Sequence, residues 1–178
     1  MSRISFEAGM IWDICPTMHK IDDMDVRILS QLQRDGSLSV DSLSERVHLS
    51  RNACWRRVKA LEERGIIKDR VAILDAEAAG CGLSVFVFVR AASHDADWLK
   101  SFREAVGGFP EIVGVYRTSG DLDYVLRARV SDVKAYDRLY QRLIAKVRLA
   151  DVSASFVMEE IKETTAIPLS ALGRGATA

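Results

Sequence analysis

Residues 38–67 read LSVDSLSERVHLSRNACWRRVKALEERGII. Ser39 is a predicted N-cap, with Leu38 before it and Leu43 placed to close a hydrophobic staple. Val47 carries the apolar face onward, and His48 and Leu49 break it. Ser50 then opens a second helix that runs to about Arg64, where Gly65 suits the C-terminal cap. In this second helix Cys54, Val58 and Leu61 share one face at about 3.6 residues per turn. Asn52, Arg56 and Lys59 lie opposite, with Arg51 and Trp55 on the flank. Two capped helices around a tight break, the second half apolar and half basic, make a helix-turn-helix at about residues 40–59. Ser50, Arg51, Asn52, Trp55, Arg56 and Lys59 are therefore the candidate DNA-contacting residues. Arg, Lys and Asn side chains can hydrogen-bond base edges when such a helix lies in a major groove.

Charge concentrates in the same place. From Arg51 to Arg70 there are seven Lys or Arg against three Asp or Glu, while the whole chain of 178 residues balances to zero. A basic helix face is commonly just solvated surface, so this local excess is what points to a polyanion. The composition is otherwise that of an ordinary globular protein, with 48% hydrophobic residues. No apolar run is long enough to span a membrane. The three cysteines, Cys15, Cys54 and Cys81, are far apart and form no C-x-x-C pair. That pattern favours neither a disulfide framework nor a metal site, and no cofactor is implied. With no secretory layout at the N-terminus, the expected compartment is the cytoplasm of a bacterium or archaeon.

Outward from the helix pair, Lys20–Gly36 reads as a third helix. Asp22 caps it with Asp25 at N3, and Ile21, Met24, Ile28, Leu29 and Leu32 form its apolar stripe. Residues 1–18 read as an N-terminal extension, either a segment preceding a natural start at Met18 or an arm packing on a partner. After Gly65, Ile66–Leu74 is β-prone and reads as a wing or bridging strand, so the winged unit spans about 19–75. The small residues of 76–82 read as a hinge.

The second half changes period. Leu83–Ala91 reads as a strand, His94–Val106 as a helix, Ile112–Thr118 and Asp123–Val130 as strands, Val133–Val147 as a helix and Val152–Glu163 as a strand. The order β-α-β-β-α-β is ferredoxin-like, so the chain is predicted to be α+β with its second domain over 83–169 and a tail over 170–178. Val85, Val87 and Val89 alternate with Phe86 and Phe88, so both faces of the first strand are apolar. A second copy of the sheet is the simplest cover, and a homodimer is expected.

Four segments, IDDMDVRILSQLQRDG, LSRNACWRRVKALEERGII, VGVYRTSGDLDYVLRARVSDVKAYDRL and SASFVMEEIKETTAIPL, resemble in that order the Lrp/AsnC family of feast/famine transcription regulators. The resemblance implies a winged helix-turn-helix followed by a RAM-type sensing domain, and dimers that assemble into octamers or related rings. It also implies an amino-acid effector and control of amino-acid metabolism genes. It places the effector at the turn between the second and third strands, at interfaces between dimers. Here that turn is Thr118, Ser119, Gly120, Asp121, Leu122, Asp123 and Tyr124. The chemistry suits an α-amino acid: backbone N–H groups near Gly120 for the carboxylate, Asp121 or Asp123 for the ammonium. The bland alternative is a hairpin turn and nothing more.

Two other functions fit the same layout. A related group decarboxylates sirohaem-type tetrapyrroles and would be expected to use His and basic residues in the sensing sheet. Only His94 lies in that half, and the turn is acidic and small. A stand-alone effector module is disfavoured by the intact basic face at Asn52, Arg56 and Lys59.

Overall fold

The computed structural model describes residues 21–170 and Leu172. The expectations for the N-terminal extension, for a start at Met18, and for most of the tail lie outside these residues. The described residues fall into two compact units, those up to Ala72 together with those from Thr164, and Ile73–Glu163.

The first unit is helical: α1 (Asp23–Leu32), α2 (Val40–Val47) and α3 (Arg51–Glu63). Its capping chemistry matches the sequence reading. The Asp22 carboxylate accepts from the Asp25 amide at 2.8 Å, and the Asp25 carboxylate accepts from the Asp22 amide at 3.4 Å, completing a capping box. Ser39 and Ser50 cap α2 and α3 by accepting from the amides of Ser42 and Ala53. The break between α2 and α3 turns on His48, which sits in the left-handed region at φ 58°, ψ 47°. The Leu49 amide there closes back on the Ser44 carbonyl at 2.9 Å, satisfying an end carbonyl of α2. Ile28, Leu29, Leu32, Leu38, Leu43, Val47, Cys54, Val58 and Leu61 form one core.

The β-prone stretch 66–74 makes no strand here. A strand needs a ladder partner, and no described residue pairs with it. Val71, Ile73 and Leu74 are left exposed. The hinge is a closed turn over 76–80, with Asp75 Oδ1 accepting from the amides of Glu77 and Ala78.

The second unit runs β1 (Leu83–Ala91), α4 (Ala96–Gly107), β2 (Ile112–Arg117), β3 (Tyr124–Val130), α5 (Val133–Lys146) and β4 (Leu149–Phe156). The strands are antiparallel in the order β2-β3-β1-β4, the ferredoxin-like arrangement. Val85, Val87 and Val89 are buried among Phe102, Leu126, Leu139 and Leu143, so α4 and α5 cover that face. Phe86 and Phe88 point the other way. There Tyr116, Val125, Phe88 and Ser153 lie side by side across the sheet. The Tyr116 ring lies so close over Gly114 that an added Cβ would sit 2.9 Å from it. On α5 Leu139 and Leu143 are buried, while Tyr136 and Tyr140 are only half-buried.

The last strand runs Leu149–Phe156, starting and ending earlier than the Val152–Glu163 expectation, and ion pairs hold the segment that follows it. After Phe156 the chain leaves the sheet edge. Glu163 ion-pairs with Arg127 and Arg129, and Glu160 with Arg129, at 2.7 Å each. The domain limit shifts with it. Residues from Thr164 join the helical unit, against the expectation of 83–169. The Gln33 side chain donates to the Ile167 carbonyl and accepts from its amide, both at 3.1 Å, and Leu169 and Leu172 pack on the helical core.

Candidate DNA interface and effector turn

The outward face of α3 carries Arg51, Asn52, Trp55, Arg56 and Lys59, all exposed, while Cys54, Val58 and Leu61 hold the helix to α1 and α2. Ser50 is the N-cap, so its hydroxyl serves the Ala53 amide before it could serve a phosphate. Arg51 Nε lies 2.9 Å from Asp41 Oδ1, an exposed pair that aims the guanidinium without hiding it. Lys59 sits 5.3 Å above the Trp55 ring and 3.7 Å from Glu63. Cys54 is fully buried, and burial pushes its thiol pKa up, so it acts as an apolar filler.

One basic residue of this segment faces the other way, and sequence reasoning missed it. Arg57 donates from Nη1 to Asp22 Oδ2 and Asp25 Oδ1, both at 2.7 Å. The signal was present: Arg57 falls three residues after Cys54 and one before Val58, on the inner flank. Burial alone would raise the Asp22 carboxyl. The Asp25 amide and the Arg57 guanidinium outweigh that and hold it below its usual value. The local excess of positive charge therefore overstates what faces outward.

The turn between β2 and β3 is closed by two hydrogen bonds. The Thr118 amide donates to the Asp123 carbonyl at 2.9 Å, and the Thr118 hydroxyl to the Leu122 carbonyl at 2.6 Å. Gly120 has φ +119°, which side chains rarely adopt, and space lies open where its Cβ would be. Ser119, Gly120 and Asp121 are exposed at the tip. Asp121 has no side-chain partner among the described residues, so its carboxylate is open to a cation.

Asp123 and Tyr124 are placed differently from the tip. Asp123 Oδ2 accepts from the Ala91 amide at 2.8 Å, and the Asp123 amide donates to the Val89 carbonyl. Its carboxylate thus anchors the end of β1, with His94 Nε2 at 3.8 Å from Oδ1. The Tyr124 ring is buried, 8% exposed, between Phe102 and Trp98 at centroid distances of 4.5 and 5.9 Å. It is a core residue, because β3 turns alternate side chains toward α4. The period-2 alternation of YVLRARV carried that signal.

A helix-turn-helix with an exposed basic face on one unit and a ferredoxin-like sheet on the other is the layout of a two-domain DNA-binding regulator. Residues 21–68 match a winged helix-turn-helix DNA-binding model, and residues 84–167 the Lrp/AsnC ligand-binding domain. The chain is 47% identical over 152 residues to the glutamate uptake regulatory protein of Zymomonas mobilis, covering 85% of this chain and 93% of the relative. It is 42% identical over 150 residues to the DNA-binding transcriptional activator DecR of Escherichia coli, covering 84% and 99%. A solved AsnC family regulator from Agrobacterium tumefaciens superposes with a TM-score of 0.82 at 49% identity, over 84% of this chain and 98% of that one. A Neisseria meningitidis transcriptional regulator, solved as an L-Met complex, has a TM-score of 0.81 at 36% identity, over 85% and 98%. The chain belongs to the Lrp/AsnC family of transcriptional regulators. It is a regulator and not an enzyme, which sets the tetrapyrrole decarboxylase reading aside. No helix among the described residues is long and apolar enough to cross a membrane.

Proposed function

We propose that this regulator binds specific double-stranded DNA through Arg51, Asn52, Trp55, Arg56 and Lys59. An amino acid held at Ser119–Asp121 sets its assembly or its DNA affinity, and the genes it controls belong to amino-acid metabolism. It acts in the cytoplasm, where its DNA is. The observation that carries the reading is the α3 face: five exposed DNA-competent side chains lie opposite three buried ones on one short helix. The tip of the turn supports the effector half. It offers backbone N–H groups around a glycine and an open carboxylate, the complements of an α-amino acid's two charges. Thr118 and Asp123 hold the tip in place.

The working form is at least a homodimer. Phe86, Phe88, Val125 and Tyr116 make an apolar patch that no helix or strand among the described residues covers, and the same patch of a second copy can complement it. The exposed, unpaired stretch Val71–Leu74 is a second apolar surface of the same kind. An octamer or ring extends the same logic to the effector turns.

Gel-shift of the protein's own upstream DNA, with and without each common amino acid, tests the whole reading. At least one amino acid should change the affinity or the pattern of complexes. Calorimetry that detects no amino-acid binding would remove the effector half and leave the DNA half standing.

A further inference from the structure

Trp55 is out of place on a helix of this kind. It sits in the second turn of α3, 51% exposed, and belongs neither to the helical core nor to the residues packed against it. Its neighbours on the outward face are charged or amide side chains. A tryptophan offers about 150–250 Å² of mostly apolar surface, so a partner that covers the exposed half gains by it. The ring is not loose: the Lys59 ammonium stands 5.3 Å from its centroid, a cation–π contact that favours one orientation of the indole.

If α3 reads a major groove, as proposed above, the groove narrows what that partner can be. Base edges there present hydrogen-bond donors and acceptors, and one apolar group, the C5 methyl of thymine. The first turns of a recognition helix are the part that reaches base edges, and Trp55 stands among them. We infer that Trp55 is a specificity-determining residue that reads thymine by packing its indole against the C5 methyl. Arg56 and Asn52 supply the hydrogen-bonding part of the readout, and Lys59 braces the ring.

The test removes the methyl and nothing else. A preferred site is selected from random duplex DNA with the full-length protein. Each thymine is then replaced in turn by 2′-deoxyuridine, and the affinity of every duplex is measured. The expected result is one or two positions per half-site where wild-type protein loses about three- to fivefold in affinity, the worth of one buried methyl. Trp55→Ala should bind more weakly and treat thymine and deoxyuridine alike at those positions, while Trp55→Phe should keep part of the discrimination. Urea denaturation of both variants should match wild type, since the ring is outside the core. Two results would overturn the inference while leaving the DNA-reading proposal standing. One is a wild-type protein indifferent to every replacement while still selecting its site. The other is Trp55→Ala retaining the same thymine preference at lower affinity, which would move the indole to the sugar–phosphate backbone. A protein that selects no sequence at all would overturn the DNA-reading proposal itself, and this inference with it.

Discussion

Arg57 Nη1 on α3 lies 2.7 Å from Asp25 Oδ1 on α1, and Asp25 is only 6% exposed. A side chain of the reading helix is thus what neutralises a buried carboxylate of the helix behind it. Arg57→Ala should lower the stability of the helical unit by about 1–3 kcal/mol, the cost of leaving a buried hydrogen-bonding group unpaired. Urea unfolding followed by helical signal measures it. The same cluster sets an acid limit. Asp22, held below its ordinary value of 3.8, contributes stability that is present above that pH. It is lost as pH falls through the lower folded value, so the urea midpoint should drop below about pH 4, and less so in Asp22→Asn.

Arg56→Ala and Lys59→Ala should weaken operator binding without moving the urea midpoint, because neither side chain enters the core. A base contact should cost about 1–3 kcal/mol and relax specificity at one position. A phosphate contact should weaken all sequences alike and flatten the salt dependence. Wild-type affinity in both variants would make the face plain solvated surface.

How much of this was readable beforehand differs by element. Helix starts were legible because Asp22, Ser39 and Ser50 cap through their own side chains, a local interaction. The four-stranded order was legible from alternation and turn residues. Three things were not. The stretch 66–74 has strand-forming residues, but pairing is a property of two segments and cannot be seen in one. The segment after β4 is held by Arg127 and Arg129, more than thirty residues away in sequence from Glu163. Asp123 and Asp121 look alike in sequence, yet one is bound to the Ala91 amide and the other is open.

That difference separates the two carboxylates by experiment. Asp121→Ala should blunt the amino-acid response and leave effector-free DNA binding and stability unchanged. Asp123→Ala should also lower stability, by about 1 kcal/mol, because the Ala91 amide loses its acceptor. Gly120→Val should impair the response through backbone strain of about 1–3 kcal/mol at φ +119°, since no neighbour blocks the new side chain. A normal response in Asp121→Ala, read by calorimetry, removes it from the site.

For the uncovered sheet face, the structure decides between the two residues of β1 that a charge could replace. Val87 is 3% exposed inside the core, whereas Phe88 lies on the open face. Phe88→Glu should therefore yield folded monomers in light scattering, by putting an unpaired ion into the interface. Wild-type protein that is monomeric at micromolar concentration would reject the covered-face argument.

Gln33→Ala should destabilise the helical unit by about 1 kcal/mol through loss of the paired bonds to Ile167. A chain ended after Glu163 should lose about 2 kcal/mol, since Leu169 and Leu172 go with it. Equal urea midpoints for the truncated and full chains would show the segment to be decoration.

The pairing of Gln33 with Ile167 spans 134 residues, and it gives the helical unit a birth order. Chains are made and fold from the N-terminus, so α1, α2 and α3 leave the ribosome long before the segment that finishes their core. Contacts so distant in sequence form late. During synthesis the helix bundle exists for a time with one side of α1 bare, and it is closed only after the entire ligand-binding unit has emerged. The reader of DNA thus reaches its final stability only as part of a molecule whose sensor is already made.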